Sequence, residues 1–174
     1  EIDAFWETMW EVADLLVSRK YDEVVDDVTM MPGARWFSNS RLNFTENLLR
    51  RRDDHLAIIS RAEGKSDRRM TYAELAGEVE KVSLALRLAG VQRGDRVVGF
   101  LPNIPEAIIA MLGSASIGAV WSSSSPDFGI KGVLDRFRQI EPKVLFAADG
   151  YQYNGKKIDS LVKLRGILSE LPSV

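Results

Sequence analysis

One feature constrains this chain more than any other: between Arg96 and Ala148 short runs of Val, Leu and Phe alternate with helical patterns. The order is strand Arg96 to Leu101, helix Pro105 to Ile117, strand Ala119 to Ser122, helix Ile130 to Ile140, strand Lys143 to Ala148. Strands joined through helices cannot pair by tight hairpins, so a βαβαβ order predicts a parallel sheet with right-handed crossovers and helices on its faces. In such sheets ligands gather beyond the carboxyl ends of the strands, which directs attention to the segments after Leu101, Ser122 and Ala148.

The rest of the chain is built around that unit. From Ile2 to Ser18, Phe5, Trp6, Met9, Val12, Leu15 and Leu16 recur at helical spacing and predict an amphipathic N-terminal arm. Met31-Pro32-Gly33 breaks the pattern, and Asn43 to Leu49 reads as a short helix with an Asn cap and Glu46 three residues on. Arg50 to Asp54 reads as a solvated boundary. Leu56 to Ala62 and Arg69 to Thr71 are expected to form a hairpin across Glu63 to Asp67. Thr71 and Glu74 then make a T-x-x-E capping box for a helix that turns Leu75, Val79, Val82 and Leu86 inward and ends at Gly90. A last helix is expected from Ile158 to Leu171. The fold class is therefore α/β: a helical arm over residues 1–52, followed over 53–174 by a partial parallel-sheet subdomain.

Composition excludes several functions. A formal net charge of -2 leaves no electrostatic footprint for nucleic acid or an anionic membrane. The lack of cysteine removes disulfides, thiol nucleophiles and thiolate metal sites, and the single histidine, His55, cannot build a histidine metal cluster. No apolar run is long enough to span a bilayer and no secretory signal is visible, so a cytoplasmic setting is expected. Glu1 and the short tail after the last helical pattern read as ends of a piece of something longer.

Two of the three strand-end segments carry unusual chemistry. Ser122-Ser123-Ser124-Ser125-Pro126-Asp127-Phe128-Gly129 offers four hydroxyls, a carboxylate and a ring, although Ser125 or Asp127 could equally be a plain helix cap. Gly150-Tyr151-Gln152-Tyr153-Asn154-Gly155-Lys156-Lys157 reads as a loop between a strand and a helix and spells G-x-x-x-x-G-K, seven positions of a phosphate-binding loop. Lys157 stands where that loop requires Ser or Thr, so a P-loop phosphotransferase remains only as a competing reading. Phosphate affinity from Lys156, Lys157 and a helix N-terminus does not need that fold. Gly64-Lys65-Ser66 reads as a hairpin tip, since Ile59 replaces the leading glycine. Asn43-Phe44-Thr45 is a chance glycosylation triplet, and Asp26-Asp27 and Asp53-Asp54 read as solvated turns.

The string of segments Met31-Pro32-Gly33-Ala34-Arg35-Trp36-Phe37, Leu42 to Leu49, Met70-Thr71-Tyr72-Ala73-Glu74-Leu75, Gly94-Asp95-Arg96-Val97, Leu101 to Glu106 and Ile117 to Ser122 resembles a known family over almost the whole chain. It is similar to the N-terminal region of the acetoacetyl-coenzyme A synthetases, in the acetyl-coenzyme A synthetase branch of the adenylate-forming, AMP-binding enzymes. Thr-Tyr-x-Glu-Leu and Gly-Asp-Arg-Val are common to the superfamily, whereas Ser124 to Gly129 and the Trp-Phe and Leu-Asn-Phe segments resemble the acetoacetate branch.

The resemblance implies a parent ligase that joins acetoacetate to ATP as an acyl-adenylate and then passes the acyl group to coenzyme A, using Mg2+. It also implies that coenzyme A is lined by Ser125, Pro126, Asp127 and Phe128 and by Tyr153, Asn154, Gly155 and Lys156. Pro126-Asp127 replaces glycines of related enzymes and Tyr153 replaces an arginine, so Lys156 is the expected phosphate contact. The plainer alternatives are a Tyr153 ring packed on the sheet edge and a solvated helix-start Lys156. The family's Thr-Ser-Gly-Thr-Thr-Gly phosphate loop, metal segment, hinge and catalytic lysine are not in these 174 residues. The expected substrates are thus small molecules, the expected protein partner is the remainder of the same polypeptide, and no catalytic or metal-ligating residue is assigned. Alone, the chain is expected to be inactive, and a stand-alone coenzyme A or nucleotide-binding or regulatory module is the alternative.

Overall fold

A computed structural model describes residues 1–174, which separate into two compact units, Glu1–Arg50 and Arg51–Val174. No helix is long and apolar enough to cross a membrane.

The first unit opens with α1, Ile2–Ala13, which stops five residues short of the expected Ser18. Asp14 takes a left-handed conformation, φ +46°, which an Asp tolerates better than most residues. Val17–Arg19 then forms β1, antiparallel to β2, Arg41–Leu42. The helix buries no residue fully: Trp10 packs on Tyr21 and Phe37 with ring centroids 4.9 and 4.8 Å away, while Phe5, Met9 and Val12 stay exposed. α2, Phe44–Leu48, is capped as expected by the Asn43 side chain, which accepts from the Glu46 amide. Asp26 lies exposed in a bend, as expected, and also accepts from the Arg35 side chain at 2.7 Å and the Arg35 amide at 2.8 Å. Those bonds hold its carboxyl down at about 2.

The second unit begins with the hairpin β3, Leu56–Ser60, and β4, Arg68–Thr71. Thr71 caps α3, Tyr72–Leu88, with both halves of the capping box formed, a motif that contributes about 1 kcal/mol. The helix ends in a Schellman motif: the Gly90 amide bonds the Arg87 carbonyl and the Val91 amide the Leu86 carbonyl. Gly90 has φ +80°, which glycine adopts at no steric cost.

Then come β5, Arg96–Phe100; α4, Pro105–Ser116; β6, Val120–Ser124; α5, Ile130–Phe137, with a 3-10 turn to Ile140; and β7, Val144–Ala147. They form a parallel sheet in the order β6-β5-β7, with Val97 beside Trp121 on one side and Val144 on the other. Residues of β5 alternate between faces. Val98 and Phe100 pack with Val133, Leu134, Phe137 and Ile167, whereas Val97 packs with Leu86, Val91 and Ala119. Central β5 is thus covered on both faces, which explains its nearly unbroken apolar run. Arg96 closes the far end by donating to the carbonyls of Ile140 at 2.6 Å and Glu141 at 3.0 Å.

Beyond β7 the structure corrects the expectation. Residues 150–157 are not a loop leading into a helix: Gly150–Tyr153 is β8, Lys156–Asp159 is β9, and the two pair antiparallel. Asn154 and Gly155 both have positive φ, +49° and +73°, as a two-residue hairpin turn of mirror-image type requires. Because β9 takes Ile158 and Asp159 into its ladder, the last helix, α6, starts only at Leu161 and runs to Leu168. The Leu161 amide donates to Asp159 Oδ1 at 2.7 Å.

Candidate functional site

The carboxyl ends of the parallel strands border a cleft. This cleft of about 670 Å³ lies in the Arg51–Val174 unit, lined by residues following β5, β6 and β7, by the tip of the β3–β4 hairpin and by strand β8. The size suits a small-molecule ligand, whose pockets run roughly 300 to 1,000 Å³. The order β6-β5-β7 arises because the chain leaves β5 toward β6 and returns across it to β7. Adjacent strands with oppositely directed connections leave a crevice at their carboxyl ends, where open α/β sheets bind ligands.

Of the eight residues assigned to coenzyme A, Ser125, Pro126, Asp127 and Tyr153 line the cleft, and Phe128, Asn154, Gly155 and Lys156 do not. Asn154 and Gly155 are the hairpin turn, and the Gly155 amide is already used, donating to Glu63 Oε1 at 2.6 Å. Lys156 is an exposed strand residue opposite Tyr153, not a helix-start lysine, and Tyr153 is 65% exposed rather than packed on a sheet edge. The G-x-x-x-x-G-K string is therefore strand, turn and strand. Its amides enter a β ladder and cannot converge on a phosphate, which removes the P-loop reading. Phe128 is 44% exposed, with the Arg136 guanidinium 4.7 Å from its ring centre.

The segment after β6 is held from three directions. Asp127 accepts from Ser125 Oγ at 2.9 Å within the segment and from Tyr151 Oη at 2.6 Å across to β8. Lys163 of α6 donates to the Pro126 carbonyl at 2.8 Å. Pro126 itself is fully buried, a rigid residue between half-buried Ser125 and exposed Asp127. The phenol-to-carboxylate bond is in the length range of charge-assisted pairs. It holds the Asp127 carboxyl below the usual carboxylate range, with Ser125 adding to the effect. The same bond pushes the Tyr151 phenol up to about 12.

The sign of each shift sets its pH window. The Tyr151 contribution is full below an unfolded value near 10 and is lost as pH rises through about 12. The Asp127 contribution is present above an unfolded value near 3.9 and is lost as pH falls. An ultraviolet titration of the folded chain is expected to show one of the four tyrosines ionising late, near 12, and Tyr151→Phe to remove that step. Four tyrosines rising together near 10 would contradict the contact.

Charge at the cleft is mostly committed. Arg61 pairs with Asp67 at 3.1 Å and Arg68 pairs with Glu106, leaving Lys65, at the β3–β4 tip, as a cleft cation outside those pairs. No group of three or more His, Asp or Glu residues is placed to hold a metal ion. Sequence reasoning missed Tyr151, Glu63, Lys163 and Lys65. The one available signal was Asn154-Gly155 between two four-residue runs, the strongest short-range mark of a hairpin.

Residues 44–173 match the family of AMP-binding enzymes, and residues 1–48 match the acetyl-coenzyme A synthetase N-terminus. The chain is 47% identical over 173 residues to acetoacetyl-CoA synthetase of Macaca fascicularis, covering 98% of this chain and 26% of that protein. It is 46% identical over 171 residues to acetoacetyl-coenzyme A synthetase of Rhizobium meliloti, with the same coverage. It is also 40% identical over 177 residues to malonamoyl-CoA synthetase vrtB of Penicillium aethiopicum, covering 98% and 24%. Its structure superposes on acetoacetyl-CoA synthetase from Streptomyces lividans with a TM-score of 0.95 and 44% identity, over 99% of this chain and 27% of that one. The chain thus spans about a quarter of the length of the curated relatives it matches.

Proposed function

The chain belongs to the AMP-binding enzymes, and on that premise we propose that it is the amino-terminal part of an AMP-forming acetoacetate–coenzyme A ligase. The observation that carries this reading is identity of 46 to 47% to acetoacetyl-coenzyme A synthetases sustained across 98% of the chain. In the complete ligase, a carboxylate oxygen of acetoacetate attacks the α-phosphorus of ATP and displaces pyrophosphate. The coenzyme A thiolate then attacks the acyl carbonyl carbon, forming the thioester and releasing AMP. The part proposed for this chain is to hold coenzyme A by its nucleotide end in the cleft beyond β5, β6 and β7. Lys65 meets phosphate there, Ser125 to Asp127 shape the wall, and Phe128 and Tyr153 offer exposed rings at its margin. Lys156, on the exposed face of β9, is assigned an outer contact with the same phosphates.

ATP, with Mg2+ as its counterion, is assigned to the remainder of the polypeptide, since stabilising charge at a reacting phosphate needs donors of the kind in the family's Thr-Ser-Gly-Thr-Thr-Gly loop, which is not in these 174 residues. Acyl choice is assigned there too: a relative named for malonamoyl-coenzyme A shares this region at 40% identity, so the region tolerates a change of acyl group. A cytoplasmic setting fits a chain without cysteine.

The test is ATP–pyrophosphate exchange and coenzyme A-dependent AMP release by the longer polypeptide and by these 174 residues alone. Acetoacetate-dependent exchange by the longer protein, and none by the short chain, is the expected result. Exchange driven by another acid, or by the short chain alone, would overturn the reading.

A further inference from the structure

The cleft contains a contradiction if its ligand is a polyphosphate. Asp127 lines it and carries a negative charge. A carboxylate free to swing on that exposed turn would repel the phosphates it faces. In the structure it is not free: one oxygen is occupied by Ser125 Oγ and the other by Tyr151 Oη, reached from β8, twenty-four residues along the chain. The backbone around it is fixed independently, by buried Pro126 and by the bond from Lys163 to the Pro126 carbonyl. The hairpin that presents Tyr151 is itself tied at its turn, where Glu63 accepts from the Gly155 amide. The hairpin is also closed at its base, where the Ser160 amide donates to the Asp149 carbonyl at 2.8 Å, so the phenol is delivered by an element held at both ends, and it bonds the carboxylate that would otherwise oppose an anionic ligand.

We propose that Tyr151 is a positioning residue, whose hydroxyl holds the Asp127 carboxylate within the Ser125–Phe128 turn so that the cleft admits the phosphates of coenzyme A. The proposal rests on the coenzyme A reading of the cleft. It divides the two half-reactions: adenylation does not meet this turn, whereas thioester formation requires coenzyme A to dock against it.

The experiment uses the longer ligase and measures KM for coenzyme A, kcat, and ATP–pyrophosphate exchange. Tyr151→Phe, which keeps the ring and removes the hydroxyl, is expected to raise KM for coenzyme A by about tenfold, the worth of one good hydrogen bond, with kcat and exchange unchanged. Adding Asp127→Asn to Tyr151→Phe removes the charge left unpaired and is expected to return KM to within about threefold of the starting value. A merely structural role predicts the opposite, since a second lesion in one network would worsen binding. Loss of exchange in Tyr151→Phe, or no recovery in the double variant, overturns the proposal. Lys65→Ala, at the cleft cation assigned to phosphate, separates the two levels: if it raises KM for coenzyme A while Tyr151→Phe does not, the positioning role fails alone. If neither variant moves KM, the coenzyme A reading fails and the positioning role with it.

Discussion

Phe137→Ala is expected to lower the unfolding free energy of the chain by about 3–5 kcal/mol, the range for emptying a fully buried aromatic site. Phe137 is 0% exposed at the end of α5 and packs in one cluster with Val98 and Phe100 of β5, Val133 and Leu134 of α5, and Ile167 of α6. It therefore joins strand, its own helix and the last helix, and no neighbour is free to collapse into the space without moving one of them. A domain of this size holds only about 5–15 kcal/mol in all, so the loss is a large fraction of the total. Denaturant unfolding followed by circular dichroism measures it. A loss below about 1.5 kcal/mol would mean that this face of the sheet is loosely packed.

The second large effect comes from a glycine chosen for space rather than for backbone angle. A Cβ at Gly113 of α4 would lie 2.6 Å from Val82 Cγ1 and 2.9 Å from Val82 Cβ on α3. Val82 is β-branched and cannot swing aside, because χ1 in a helix has one strongly preferred rotamer. The two helices must move apart instead, so Gly113→Val is expected to cost about 2–3 kcal/mol through overpacking. Gly77 on α3 provides the contrast: a Cβ there would meet nothing within 4 Å, and its backbone is helical. Gly77→Ala is expected to stabilise by about 0.5–1 kcal/mol through helix propensity. Equal responses at the two glycines would show that α3 and α4 do not approach as closely as described.

The parts of the fold that were legible are those that local rules determine. The βαβαβ order over Arg96–Ala147 follows from alternating apolar runs and helical spacing. The Thr71–Glu74 box and the Asn43 cap follow from residue types at fixed offsets, since a cap needs no partner beyond its own first turn. Membership of an AMP-binding family was legible as well, through motifs spread along the chain. The place of the cleft, at the carboxyl ends of the strands, was legible too, because parallel topology alone leaves a crevice there.

What the tertiary structure decided is which side chains meet. The string from Gly150 to Lys157 matches seven positions of a phosphate-loop pattern and also a hairpin pattern, and the choice rests on ladder bonds to β9, which use the amides a phosphate would need. The same pairing moves the start of α6 from the expected Ile158 to Leu161 and takes Lys156 out of the cleft. Asp127 and Tyr151 are twenty-four residues apart and become bonded only when β8 returns beside the segment after β6. A sequence carries periodicity, caps and turn chemistry because these act over a few neighbouring residues. It does not display the pairing of distant polar groups, because that depends on where the packed sheet and helices bring their ends together.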